Sequence, residues 1–158
     1  MVQHRIIYTH PDDGMVIIIA PAYKSYQTDE ETERKVIAQS VPEGVSYRLV
    51  IESEYEAEVA ACSGRVFRNE WEDIDGTLQV NMSKARGAQM NKIRDARNKE
   101  LVALDVPFMK ALEDGDMDVQ ATIKAKKQEL RDIPQTFDLT TDSPEELKEK
   151  WPEGLPKE

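Results

Sequence analysis

Histidine and cysteine, on which most metal sites and much nucleophilic catalysis rest, are nearly absent here. The chain has two histidines and one cysteine, Cys62, in 158 residues. A lone cysteine closes no internal disulfide, builds no multi-cysteine zinc site, and fits a reducing compartment. Aromatic residues make up only 6%, so any core rests on few large rings. No apolar run approaches the ~20 residues of a membrane helix. The opening MVQHRIIYTH has no apolar segment of the secretory kind, so no signal is expected there. The seven glycines never cluster as a phosphate-binding loop, which argues against a nucleotide site.

Charge is abundant, at 33% of residues, with a net value of −10. It is unevenly spread. Residues 1–81 carry 7 basic against 15 acidic side chains, residues 82–133 carry 11 against 9, and residues 134–158 carry 3 against 7. A globally acidic chain is repelled by phosphate and is not expected to bind nucleic acid. An acidic half beside a basic helical stretch suits charge-matched contact with protein.

The patterns predict an α+β fold: a small antiparallel β domain with one helix, then an αα-hairpin and a short C-terminal helix. Residues 4–9 and 15–20 read as two strands joined by the turn Pro11-Asp12-Asp13-Gly14. Residues 28–40 read as a helix with a capping-box spacing, Thr28 to Glu31, docked through Val36 and Ile37. Residues 45–51 alternate as a strand with Val45, Tyr47, Leu49 and Ile51 on one face. Residues 52–58 read as an acidic connection. Asp73 to Gly76 is a turn, and residues 77–81 a last strand.

A helix is expected from Ser83 as N-cap, its apolar face Met90, Ile93, Leu101, Leu104, Phe108 and Leu112. Pro107 either kinks this helix or stands in the first turn of a fresh one capped by Asp105. Gly115 suits a left-handed cap. A second helix follows with Val119, Ile123, Lys126, Leu130 and Ile133 inward, closed by Pro134. Ser143-Pro144-Glu145-Glu146 opens a short last helix. The implied domains are 1–81, 82–134 and 135–158.

Few residues offer chemistry. His4 and His10 could share a face beside Asp12 or Asp13, but two ligands without a third are a weak metal site. Asp12, Asp13, Asp73 and Asp75 are ordinary turn residues. Cys62 lacks a recognisable nucleophile motif and reads as a small buried hydrophobe. No catalytic residue, metal or cofactor is assigned. Lys84, Arg86, Lys92, Arg94, Arg97 and Lys99 make the first helical arm basic; they either stay solvated beside the chain's own acidic domain or meet an acidic partner. Phe67, Trp71 and Trp151 serve either as core or as interface anchors.

The run Phe67-Arg68-Asn69-Glu70-Trp71, then Met82-Ser83-Lys84-Ala85-Arg86 and Lys92-Ile93-Arg94-Asp95-Ala96-Arg97, resembles small proteins encoded among bacteriophage and prophage tail genes. Residues 101–105 (LVALD), 127–134 (KQELRDIP) and the ending Trp151-Pro152…Leu155-Pro156 are similar to the same group. Such proteins are grouped with phage tail and tail-fibre assembly chaperones. The resemblance implies a non-enzymatic protein that binds a tail or tail-fibre polypeptide, leaving after assembly in the host cytoplasm or staying in the virion tail. Phe67, Trp71, Arg94, Arg97 and Trp151 are the expected contacts, and a homo-oligomer is compatible with it. Two alternatives stand beside it: an acidic phage-encoded inhibitor of a host protein, and a small enzyme using Cys62 or the histidines.

Overall fold

In the computed structural model, which describes residues 3–23 and 28–157, the chain forms two compact units, residues 1–85 and 86–158. The expected division after residue 81 thus falls a few residues later, and the expected third segment belongs to the second unit.

The first unit is α+β. Strands β1 (His4–Thr9), β2 (Val16–Ile19) and β3 (Tyr47–Ile51) form an antiparallel sheet ordered β2-β1-β3. The predicted turn is present, with Gly14 at φ +69° in the left-handed region that glycine adopts without steric cost. Helix α1 (Asp29–Ser40) begins with the predicted capping box: Thr28 Oγ1 accepts from the Glu31 N–H and the Glu31 carboxylate accepts from the Thr28 N–H. Its buried residues are Thr32 and Glu33, however, while Val36 and Ile37 are only half-buried. The reason is polar. Glu33 accepts a 2.9 Å hydrogen bond from the Tyr23 hydroxyl and lies 2.7 Å from His4 Nδ1, which makes a buried carboxylate tolerable.

The segment expected to be an acidic connection is instead helix α2 (Glu52–Ala61). Tyr55 and Val59, one helical turn apart, are its buried residues, and Cys62 continues the line. After a short 3-10 turn (Arg68–Glu70), β4 (Trp71–Ile74) and β5 (Thr77–Val80) make a hairpin. Its two-residue loop, Asp75-Gly76, has φ +52° and +76°, the positive pair that a type I′ turn requires.

The core lies between one sheet face (Ile7, Val16, Val50), helix α2 (Tyr55, Val59, Cys62) and the hairpin (Trp71, Leu78). Beside it Arg48 ties three elements together. Its Nη1 and Nη2 donate to both oxygens of Glu58 at 2.9 and 2.7 Å, and its Nε to Asp73 at 3.0 Å. Glu58 also accepts from the Leu78 N–H at 3.0 Å. Burial pushes the Glu58 carboxyl up, but the bonds from Arg48 and Leu78 outweigh it and hold it below the usual carboxylate range.

Helix α3 (Met82–Ala103) crosses the boundary between the units. Its N-cap is Asn81 rather than Ser83: Asn81 Oδ1 accepts from the Lys84 N–H at 3.0 Å. The second unit holds the rest of α3, then α4 (Asp105–Glu113), α5 (Met117–Thr136) and α6 (Pro144–Glu149). Ile93, Ala96, Ala111, Ile123, Leu130, Leu139, Leu147 and Leu155 are buried in it. α5 runs two residues past Pro134, because proline in a last turn costs one hydrogen bond while its fixed φ still fits a helix. The predicted cap of α6 is present, with Ser143 Oγ accepting from the Glu146 N–H. The tail is fastened: Gln89 Nε2 donates to the Lys150 carbonyl at 3.0 Å and Trp151 Nε1 to the Leu155 carbonyl at 2.8 Å.

Candidate functional site

The arm α3–α4 carries two apolar faces. The inner one includes Ile93, Ala96 and Ala111, all buried, with Leu101, Leu104 and Phe108 half-buried. The outer one is Val102, Val106 and Met109, which remain 68%, 77% and 53% exposed, flanked by Leu112 at 52%. With Lys99 and Glu113 these side chains follow one another at steps of three, four, three and four residues, the spacing of a helical seam that packs against another helix. Scattered surface hydrophobes need no explanation, but a contiguous line of them marks an interaction site.

The break in the arm falls at Leu104. Pro107 has no N–H to give the Ala103 carbonyl, so the ladder loses one rung there. Leu104 itself keeps helical angles, φ −83° and ψ −8°, and the bonds Leu104 N–H to Glu100 and Phe108 N–H to Leu104 bracket the gap at 3.2 Å each. The helical phase therefore carries across, and Val102 stays in line with Val106 and Met109. Asp105 is the first residue of α4 and caps nothing; its carboxylate receives Lys127 Nζ at 2.6 Å.

The turn into α5 is tightly specified. Gly115 at φ +69° allows the Asp116 N–H to reach the Ala111 carbonyl at 2.9 Å and the Gly115 N–H to reach Leu112 at 3.2 Å, the paired closure of a Schellman motif. Asp116 then caps α5, accepting from the Val119 N–H at 3.0 Å. Gln120, buried, donates to the same Ala111 carbonyl at 3.1 Å. The inward face of α5 is therefore Gln120, Ile123, Lys127 and Leu130, whereas the expected Val119 and Lys126 are exposed. It is Lys127 that lies flat, its side chain 13% exposed and its ammonium 5.1 Å from the Phe108 ring centre. Met117, 70% exposed, extends the apolar surface to the tip.

Of the five expected contact residues, Phe67 and Trp71 are 0% and 2% exposed and offer no surface to a partner. They are the two largest fully buried side chains among the described residues, in a chain poor in aromatics. Arg94 is exposed and donates to Asn91 on its own helix; Arg97 is half-buried and donates to Asn98. Trp151 is half-buried against its own tail. Val102, Val106 and Met109 escaped notice because the large side chains beside them fit one helical stripe well enough. The signal that would have found them is the second apolar series, offset by one residue from Leu101 and Phe108.

The alternative chemistry finds no support in the geometry. His4 is engaged with Glu33, while His10 lies beyond the end of β1, 3.5 Å from Asp13. Cys62 is buried, its Sγ 3.4 Å from the Leu78 carbonyl, and burial together with Glu58 pushes the thiol up, away from the reactive thiolate. Among the described residues, no three or more His, Cys, Asp or Glu stand where they could hold a metal ion, and no helix is long and apolar enough to cross a membrane. A shallow depression of about 380 Å³ passes Arg48 and Asp73, but those two groups already satisfy each other.

No protein family, no curated protein and no solved structure matches this chain.

Proposed function

We propose that this is a non-enzymatic bacteriophage tail accessory protein that binds a tail or tail-fibre polypeptide, as an assembly chaperone or as a component retained in the virion tail. The observation that carries the binding reading is the outer seam Val102-Val106-Met109 with Leu112 and Met117, exposed apolar side chains on an arm whose inner face already holds the buried Ile93, Ala96 and Ala111. Covering it removes apolar surface from water at about 25 cal/mol per Å². The tail assignment rests on the sequence resemblance. The seam is a helix-in-groove ligand or receptor by its spacing, which suits recognition of another helical polypeptide. An acidic decoy is less well supported, because Glu52, Glu58, Glu72 and Asp73 are already engaged by Arg5, Arg48 and Lys84.

Mass spectrometry of purified phage particles, paired with affinity capture from infected cells, tests this. Stoichiometric presence in particles selects the structural version. Absence from particles with capture of a tail or fibre protein selects the chaperone. Absence of both overturns the proposal. Val106→Glu should lower affinity for the captured tail protein by more than about tenfold, as expected for a charge placed at the centre of a buried patch.

A further inference from the structure

Val106 stands midway along the outer seam. Lys99 lies seven residues before it and Glu113 seven after, which is about 10.5 Å to either side at ~1.5 Å per residue. Val102 and Met109 fall between, so the seam is apolar at its centre and oppositely charged at its ends. Further out, the same spacing meets Asp95 and then Lys92 on one side and the turn residues Asp114 and Asp116 on the other, so the charge opposition is carried by Lys99 and Glu113. A second identical arm laid in the same direction would set like charge on like. Turned end over end about an axis through Val106, it sets apolar centre on apolar centre and brings Lys99 of each copy to the Glu113–Asp116 turn of the other. Two-fold symmetry makes each such contact twice.

We propose that a second copy of this chain covers the seam, in an antiparallel two-fold pair centred on Val106. Four apolar side chains per copy, Val102, Val106, Met109 and Leu112, cover less than the ~800 Å² per partner of a standard stable complex. The pair is therefore weak, with a dissociation constant on the order of 10–100 μM. That weakness gives it a use: the second copy shields the apolar seam while no tail polypeptide is present and gives way to a tighter binder by mass action. This consequence rests on the reading above; the pairing itself does not.

Sedimentation equilibrium of the full chain, with no other protein present, tests the pairing at loadings from about 5 to about 500 μM, chosen to bracket that constant. The expected result is a reversible monomer–dimer equilibrium. Val106→Glu should weaken it more than about tenfold and Lys99→Glu by about tenfold, and adding Glu113→Lys to the latter should restore it, since the reversed charges again oppose. All three side chains are exposed, and unchanged thermal melts will show that the variants fold. A chain that is monomeric throughout, a dimer indifferent to Val106→Glu, or a double variant that does not recover would overturn the pairing. A monomeric chain that still binds its tail partner through Val106 loses the pairing alone. A dimer whose Val106→Glu variant binds that partner normally loses instead the tail reading of this face.

Discussion

Replacing Arg48 by methionine should be the most damaging single change in the first unit outside its apolar core. The guanidinium makes two hydrogen bonds to Glu58, and its Nε–H is shared between both oxygens of Asp73 at 3.1 and 3.0 Å; the three side chains are only 20%, 16% and 15% exposed. Methionine keeps much of the volume but removes the charge, leaving two carboxylates facing one another out of water. Breaking a fully buried pair costs about 3–5 kcal/mol. Residual solvent reduces that, and about 3 kcal/mol is expected here. At about 1 kcal/mol per molar urea for a small unit, the midpoint falls by about 3 M.

The assay is urea unfolding followed by the emission of Trp71, which is 2% exposed, in a Trp151→Phe background. The pH dependence gives a second check. Glu58 has a folded value below its unfolded one, so its contribution is present above the unfolded value of about 4.3 and is lost as the pH falls through the folded value. In Arg48→Met the Leu78 N–H still favours the ionised carboxyl, but burial and the Asp73 carboxylate, no longer neutralised by the guanidinium, oppose it, so the carboxyl gains from protonation. The penalty should therefore shrink between pH 7 and pH 4. A loss under about 1 kcal/mol, or one of equal size at both pH values, would refute the reasoning.

Two further predictions follow from burial. Trp71→Ala should cost the first unit about 3–5 kcal/mol and leave any binding through the second unit intact wherever the protein stays folded; calorimetry beside a binding assay separates the two, and lost affinity at unchanged stability would return Trp71 to the interface. Cys62, buried and with its thiol pushed up, should react with iodoacetamide at pH 8 far more slowly in the native chain than in urea, and equal rates would place the sulfur at the surface.

Much of the fold was legible wherever one local rule sufficed. Thr28 and Glu31 announced a helix start, Asp73 to Gly76 a turn, Gly115 a helix end and Ser143-Pro144 another start; each is present, the turn narrowed to Asp75-Gly76 because Asp73 and Ile74 join strand β4. Helix α2 was not legible, because Glu52–Ala61 buries only Tyr55 and Val59, too narrow a stripe to register as a period among four glutamates. The docking of α1 was misjudged because a hydrogen-bonded Glu33 took the inward place that Val36 or Ile37 would fill by hydrophobicity alone. Phe67 and Trp71, expected at a contact, lie in the core for the same underlying reason. Burial is a property of the assembled chain, and a sequence shows which side chains are large and apolar but not which of them the core will claim.

The closure between α4 and α5 also bears on the order of events in time. Ala111, Gly115, Asp116 and Gln120 meet within ten residues of one another, whereas the sheet needs His4 to find Ile51 before β1 and β3 can zip. Loops that short close in about 10–100 ns, and long-range strand pairing is slow by comparison. The α4–α5 turn should thus close while the sheet is still searching for its register.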